Sequence, residues 1–201
     1  SVFFIGTIME SVQQDFCNKS GAFIINKPIG VSSKDISRKL QKVLGRKLKM
    51  GHAGTLDVMA EGLLPILIGK ATKIQDYLTS MSKSYRFELT FGLSTDTCDI
   101  TGEVLSQQKL SKDLSSDQIQ GVCNSLLGDQ LQVAPLYSAI KHKGVPLYKY
   151  ARKGQNVIDL IPKRQVHIYQ LKLLTHSSNK AVFEVKCSKG TYVRSLAVDI
   201  A

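Results

Sequence analysis

The residues best able to do chemistry in this chain lie together in residues 51–65. The segment reads Gly51-His52-Ala53-Gly54-Thr55-Leu56-Asp57 and ends Ala60-Glu61-Gly62-Leu63-Leu64-Pro65. Its glycines permit tight backbone bends and a close approach of a ligand to the main chain. An aspartate in such a turn can serve as a nucleophile, as a base or as the cap of the turn. Since the segment lacks the G-K-[ST] ending of a phosphate-binding loop, it is not a nucleotide site of that class.

Positive charge is concentrated in two segments of the chain. The 201 residues include 27 Lys and Arg against 16 Asp and Glu, a net charge of +11. Residues 34–49 and residues 141–164 each have a net charge of +6, so the remainder is nearly neutral. This distribution predicts a surface for a polyanion such as nucleic acid. The alternative interpretation is that the two basic segments are solvent-exposed surfaces that bind no polyanion.

Residues 133–160 combine backbone breakers with tyrosines and lysines. The breakers are Pro135, Gly144, Pro146 and Gly154, and the aromatic residues are Tyr137, Tyr148 and Tyr150. Stackable rings amid positive charge are typical of a segment that binds flipped or single-stranded bases. A tyrosine-rich hairpin or short helix packed on the core explains the composition equally well.

Cysteine spacing and apolar runs exclude several other classes of protein. The four cysteines are far apart and form no C-x-x-C pair, which favours a reducing compartment and shows neither a zinc site nor a redox motif. No apolar run approaches the roughly 18 residues of a membrane span. The first 20 residues contain two acids and no arginine, unlike a signal or transit peptide. We expect a cytoplasmic protein that binds no membrane, with a mitochondrion or plastid as alternative locations.

Short strands and helices must position these residues. Alternation and turn signals predict strands over residues 22–26, 63–68, 85–91, 166–174 and 181–187. Helices are predicted to begin near Ser32 or Ser33, near Ser115 or Ser116, and after Gly190. Because these elements show no regular β-α-β order, we predict an α+β domain with a mixed, largely antiparallel sheet flanked by helices.

The first predicted helix has an apolar face and a basic face. Its apolar stripe, at helical spacing, consists of Ile36, Leu40, Val43 and Leu44. The opposite face carries Arg38, Lys39 and Lys42, which are free to meet solvent or phosphate.

The order of the motifs is similar to that of the TruB family of tRNA pseudouridine synthases. Residues 51–65 resemble the family's catalytic G-H-x-G-x-L-D segment, and residues 69–73, 84–86 and 95–102 resemble its G-x-A-T-K, S-Y-R and T-D-T-x-D-x-x-G motifs. Residues 137–154 resemble the family's RNA-clasping insertion, and residues 187–194 resemble the segment that brings in an arginine. The T-D-T-x-D run favours the stand-alone, bacterial type over guide-RNA-dependent relatives.

This resemblance implies an isomerase that converts the T-loop uridine of tRNA to pseudouridine 55. The reaction breaks the N1–C1′ bond, turns the uracil and rejoins it through C5, so it implies no cofactor and no metal. The base must leave its stack before it can be reached. The implied partner is the T-arm stem-loop of tRNA, bound by a monomer.

The resemblance also implies roles for six residues. Asp57 is the essential catalytic carboxylate, and Arg194 is expected to pair with it and keep it ionised. The expected substrate-binding residues are Tyr85 stacked on the uracil, Tyr192 lining the pocket, His52 in the space left by the flipped base, and Lys73 supporting the pocket. Val58 departs from the family, which has proline at that position.

The resemblance gives a domain organisation and leaves two alternatives open. It divides the chain into an N-terminal extension over residues 1–21 and a C-terminally incomplete catalytic domain over residues 22–201, with an insertion at about 133–160. The first alternative is an RNA-binding or tRNA-folding protein of the same fold, although the intact Asp57 argues against lost catalysis. The second is a metal-dependent nuclease that uses Asp96, Asp99 and Glu103 in a hairpin loop.

Overall fold

The computed structural model describes residues 20–44, 48–110, 113–138, 140–142, 145–146, 149–150 and 161–201. The chain divides into two compact units, Ser1–Met81 and Ser82–Ala201. None of the helices in the described ranges has the length and apolar character that crossing a membrane requires.

The first unit contains a three-stranded antiparallel sheet with a helix packed on one face. Its strands are β1 (Gly21–Lys27), β2 (Met50–His52) and β3 (Gly62–Ile68), in the order β1-β3-β2. Helix α1 (Ser33–Leu44) packs on this sheet through Ile36, which is buried with Leu64 and Ile66 of β3. A 3₁₀ helix (Gly69–Ile74) and helix α2 (Gln75–Ser80) follow β3.

Local hydrogen bonds fix the beginning of α1. The Ser32 hydroxyl accepts a bond from the Asp35 N–H at 3.1 Å and donates to the Asp35 carboxylate at 2.6 Å. The Asp35 carboxylate also accepts from the Ser32 N–H at 3.4 Å, which completes the reciprocal bonding expected of a serine that caps a helix with an acid three residues later. Since Ser32 supplies the cap, the side chain of Ser33 at the first helical position has another partner, which lies in the loop that carries Asp57.

The second unit contains a four-stranded antiparallel sheet covered by two helices. The strands β4 (Lys83–Thr90), β7 (Gly128–Val133), β10 (Lys163–Ser177) and β11 (Lys180–Cys187) pair in the order β4-β11-β10-β7. Helices α3 (Ser116–Ser125) and α4 (Val193–Ile200) contribute Cys123 and Leu196 to the core of this unit. Phe183 and Val185 of β11 lie at its centre and are fully buried.

Two small hairpins complete the described strands. Strands β5 (Leu93–Thr95) and β6 (Val104–Gln107) pair with each other, as do β8 (Lys141–His142) and β9 (Val145–Pro146). The β8–β9 pair belongs to the predicted insertion at 133–160, of which residues 139, 143–144, 147–148 and 151–160, and with them Tyr148, lie outside the described residues. Residues 1–19 of the predicted N-terminal extension also lie outside them.

The α+β prediction is confirmed, but the predicted mixed sheet is not what the described strands form. Every pairing between them is antiparallel, and they form separate sheets. The reason is visible at β10 and β11, where Ser178 and Asn179 alone separate the strands and Ser178 has a φ of 53°. A connection of two residues can join only antiparallel neighbours.

Candidate active site

Asp57 is an exposed residue of the loop between β2 and β3. Two glycines here have φ in the left-handed region, Gly54 within the loop at 109° and Gly62, the first residue of β3, at 124°. Residues with a side chain rarely adopt such angles, so both positions explain why the motif needs glycine. The Ala60 N–H donates to the Asp57 carbonyl oxygen at 3.1 Å, which closes a turn just after the aspartate. The aspartate is therefore held in a defined turn.

The backbone is also held on both sides of Asp57. Before it, the Leu56 N–H donates to the Ser33 hydroxyl at 3.0 Å, and that hydroxyl donates to the Leu56 carbonyl oxygen at 3.1 Å. After it, the Val58 carbonyl oxygen accepts a bond from the Gly30 N–H at 2.8 Å. The β1–α1 region thus fixes the residues that flank the candidate catalytic carboxylate.

Lys27 is a fully buried cation beneath this loop, and no sequence motif identifies it. Its ammonium donates to the carbonyl oxygens of Val31 at 2.8 Å and Pro28 at 3.0 Å and lies 3.5 Å from that of Val58. Burial lowers the pKa of Lys27, and the negative charge of Asp57 acts in the opposite direction. The available signal was strand alternation, which places Lys27 on the inward face of β1 with Phe23 and Ile25.

His52 and Lys73 occupy different environments in the first unit. His52 ends β2 and is half-buried, with its Nδ1 2.5 Å from the Gly54 carbonyl oxygen. Because a carbonyl oxygen only accepts, Nδ1 is the donor in this contact. Lys73 lies exposed in the 3₁₀ helix. Its expected support of the pocket stays a prediction, as does the role of His52.

Tyr85 lies on β4 in the second unit, opposite Val185 of β11. Its side chain is partly buried and packs against the core of that unit. Packing against the core therefore explains the burial of one side of the Tyr85 ring. Stacking of the ring on a uracil stays a prediction.

Arg194, on the first turn of α4, is buried with polar partners on several sides. Its guanidinium donates to the carbonyl oxygens of Thr97 at 2.9 Å and Tyr137 at 3.0 Å. It also lies 3.5 Å from the carboxylate of Asp99, and both side chains are less than a tenth exposed. The pair with Asp99 was not predicted from the sequence. The expected pair of Arg194 with Asp57 stays a prediction.

Threonine hydroxyls hold Asp99 within the T-D-T-x-D segment. Its carboxylate accepts bonds from the Thr97 hydroxyl at 2.8 Å and from the N–H and hydroxyl of Thr101 at 2.9 and 2.5 Å. Burial raises the pKa of Asp99, but these hydrogen bonds and the charge of Arg194 outweigh it and bring the pKa below its ordinary value. Asp99 is therefore an ionised residue that orients Arg194.

The same contacts argue against the nuclease alternative. Asp99 is engaged by two threonines and an arginine, and Asp96 accepts a bond from the Glu103 N–H at 2.8 Å. Across the described ranges, no group of three His, Cys, Asp or Glu side chains is placed to hold a metal ion. The carboxylates of Asp96 and Asp99 stabilise this hairpin loop.

Tyr192 is positioned through its backbone by Gln132, a second residue that no sequence motif identifies. The Gln132 side chain of β7 is 5% exposed, and its carboxamide accepts from the Tyr192 N–H at 2.7 Å and donates to the Tyr192 carbonyl oxygen at 3.1 Å. The guanidinium of Arg164 lies 5.8 Å from the centre of the Tyr192 ring. Gln132 therefore fixes the start of the helix that carries Arg194.

The fold and these residues define a class: an α+β protein with an exposed aspartate in a glycine-containing loop of one unit and a buried arginine–aspartate pair in the other. Solved structures share the fold. One titled as a Cbf5-Nop10-Gar1 complex has a TM-score of 0.65 at 24% identity, over 93% of this chain and 45% of that one. One of an H/ACA RNP bound to a substrate RNA containing 2′-deoxyuridine has a TM-score of 0.62 at 22% identity, over 93% and 43%.

Sequence comparison names the family. Residues 41–193 match the model of the TruB family pseudouridylate synthase, N-terminal domain. The chain is 44% identical over 183 residues to tRNA pseudouridine synthase B of Francisella philomiragia, covering 91% of this chain and 60% of that protein. It is 46% identical over 186 residues to the protein of that name in Bacillus subtilis, covering 90% and 59%. The chain belongs to the TruB family, as its motifs predicted, and spans about three fifths of the length of these curated relatives.

Proposed function

We propose that this chain carries the catalytic part of a tRNA pseudouridine synthase that isomerises the T-loop uridine of tRNA. The observation that carries the proposal is the exposed turn that holds Asp57, the residue that the motif resemblance predicts as catalytic, within the segment that matches the family model. Its flanking residues Leu56 and Val58 are both hydrogen-bonded to the β1–α1 region. The relatives named above, tRNA pseudouridine synthases at 44 and 46% identity, support the choice of reaction.

The chemistry needs one carboxylate and an unstacked base. The N1–C1′ bond of the uridine breaks, the uracil turns, a C5–C1′ bond forms, and the proton on C5 is lost while N1 gains one. Asp57 acts on the flipped nucleotide as a nucleophile or as a base. Since the product is an isomer of the substrate, the reaction requires no oxidant, nucleotide or other co-reactant.

The other predicted residues bind and orient the nucleotide in this proposal. The pairing of Arg194 with Asp57 stays a prediction within this proposal; the ion pair described for the guanidinium is the one with Asp99. In this proposal Tyr85 stacks on the uracil and Tyr192 lines the pocket of the base, and His52 and Lys73 keep the substrate-binding roles predicted for them.

The proposed partner is the T-arm stem-loop of tRNA. Support comes from the net charge of +11 and from α1, whose Arg38, Lys39 and Lys42 side chains are all exposed. Phosphate neutralisation by such side chains supplies most of the affinity in nucleic-acid binding that does not depend on sequence. The monomeric state and the cytoplasmic location also stay predictions.

Release of tritium from tRNA labelled at C5 of uridine tests this function. The wild-type chain is expected to release one tritium per modified uridine, and Asp57→Asn is expected to release none. Binding of tRNA without release by the wild-type chain would favour the RNA-binding or tRNA-folding alternative.

A further inference from the structure

A buried hydroxyl of α1 is bonded to the residue that precedes Asp57. Ser33 is 2% exposed, and its Oγ lies 3.0 Å from the nitrogen and 3.1 Å from the carbonyl oxygen of Leu56, 23 residues further along the chain. The hydroxyl accepts from the first atom and donates to the second. A single side chain thus satisfies both polar backbone groups of Leu56.

Such bonding is unusual for a serine in a helix. Serine hydroxyls in helices commonly cap the first turn or bond the carbonyl oxygen four residues earlier. Ser32 has the first role here, and Ser37 has the second, with its hydroxyl 3.3 Å from the Ser33 carbonyl oxygen. Ser33 instead forms a cross-link between α1 and the β2–β3 loop that helix formation does not require.

The cross-link orients the peptide groups that lead into Asp57. With both the N–H and the C=O of Leu56 bonded, rotation of the backbone before the aspartate is restricted. The Val58 carbonyl oxygen, held by Gly30, restricts it on the other side. The direction of the Asp57 side chain therefore depends on these anchors, although Asp57 itself is exposed.

We propose that Ser33 is a positioning residue for Asp57, acting through the backbone of Leu56. The proposal rests on the proposed function, since it assigns Ser33 a role in orienting the carboxylate that acts on the nucleotide. Displacement of a reacting group by about 1 Å can lower a rate a hundredfold. Loss of the Ser33 hydroxyl should therefore reduce the catalytic rate more than it weakens the binding of RNA.

Two substitutions of Ser33 and one matched control test the proposal. Ser33→Ala removes the hydroxyl, and Ser33→Cys replaces it with a group of similar shape that bonds only weakly. Ser37→Ala is the control, because it makes the same change on the same helix at a hydroxyl with no bond to the loop. We expect kcat to fall roughly ten- to a hundredfold in both Ser33 variants, with KM for a T-arm RNA within about twofold of wild type.

Hydrogen exchange at the Leu56 amide provides a readout that does not depend on activity. Exchange should accelerate in the Ser33 variants and stay unchanged in Ser37→Ala. Ser33 variants with kcat within twofold of the control would overturn the proposal, and so would an unchanged Leu56 amide. Should Ser33→Ala fail to fold, the comparison of Ser33→Cys with the control decides the matter.

The outcomes separate this proposal from the function on which it rests. An inactive wild-type chain would overturn the function and with it the catalytic meaning of Ser33. An active wild type whose Ser33 variants match Ser37→Ala would overturn the role of Ser33 alone.

Discussion

Buried side chains that form two hydrogen bonds each fix the backbone next to the candidate site residues. The side chains that do this, Ser33 and Gln132, are not residues that the motifs identify. Motif order identified Asp57, Tyr192 and Arg194. The partners Ser33 and Gln132 are polar residues within ordinary amphipathic patterns, and their contacts join residues 23 and 60 positions apart in the chain. No local pattern encodes such a pairing, so the sequence provides candidates for the reacting groups but none for the groups that hold them.

Gln132→Glu is expected to lower the free energy of unfolding by about 1–3 kcal/mol. The change removes the N–H donor to the Tyr192 carbonyl oxygen and sets a carboxylate against that oxygen in a buried position. Urea denaturation of the purified variant measures the effect. Gln165→Glu, the same substitution at an exposed position of β10, is the control and should stay within about 0.5 kcal/mol of wild type. Equal stability of the two variants would show that the contact between Gln132 and Tyr192 contributes nothing to the free energy of unfolding.

Asp99 predicts an acid dependence of stability with a definite sign. Its pKa in the folded protein is lower than the ordinary value of 3.8, so the unfolded chain binds more protons in this range. The stabilisation from ionised Asp99 is therefore complete above the unfolded pKa and is lost as the pH falls through the folded pKa. The difference in unfolding free energy between wild type and Asp99→Asn should shrink as the pH is lowered from about 6 to below 3.8. A difference that stays constant over this range would contradict the contacts described for Asp99.

At the scale of elements, periodicity predicted where strands and helices lie better than where they end. The strand predicted over residues 166–174 extends over Lys163–Ser177, because its first part pairs with β7 and the rest with β11. Apolar and polar residues alternate only in the middle of β10, where side chains point in turn into the core and away from it, so the pattern predicted only that part of the strand. The 3₁₀ helix after β3 was not predicted, and the β5–β6 hairpin entered only as the hairpin loop of the nuclease alternative, since short elements without a repeating apolar face leave no periodic signal.

Helix α1 is the element on which the RNA-binding prediction depends. Arg38, Lys39 and Lys42 are exposed on it, while Ile36 and Leu44 face the sheet. Replacing all three basic residues by Glu should weaken tRNA binding and flatten its salt dependence. The log–log slope should fall by roughly 0.7–0.9 for each phosphate that the variant no longer neutralises. Fluorescence titration at several salt concentrations measures both the affinity and the slope.

A control of equal charge change separates contact from general attraction. Lys109, Lys172 and Lys186 are also exposed, and replacing these three by Glu changes the net charge by the same amount. Affinity and slope should change far less in this variant. Equal effects in the two triple variants would show that α1 is a solvated face without a specific RNA contact.

At the scale of the whole molecule, the identification rests on order and not on any single motif. The matched segments run along most of the chain, and the family model covers residues 41–193. An aspartate in a glycine-containing turn occurs in many kinds of protein and by itself indicates no particular function. Few families have such an aspartate followed, in this order, by the tyrosine, threonine–aspartate and arginine segments. The separation into two units could not be predicted in this way, because motif order carries no information on which segments pack together.

The central claim is that Asp57 supplies the bond chemistry while other residues supply the binding. The most direct test maps pseudouridine in tRNA after incubation with the wild-type chain or with Asp57→Asn, and measures the affinity of both for the same tRNA. We expect pseudouridine at the T-loop uridine with the wild type and affinities within a few-fold of each other. Turnover by Asp57→Asn should be less than about 1% of that of the wild type, since removal of an essential catalytic group typically lowers the rate more than a hundredfold. Pseudouridine formed by Asp57→Asn at a rate near that of the wild type would contradict the claim.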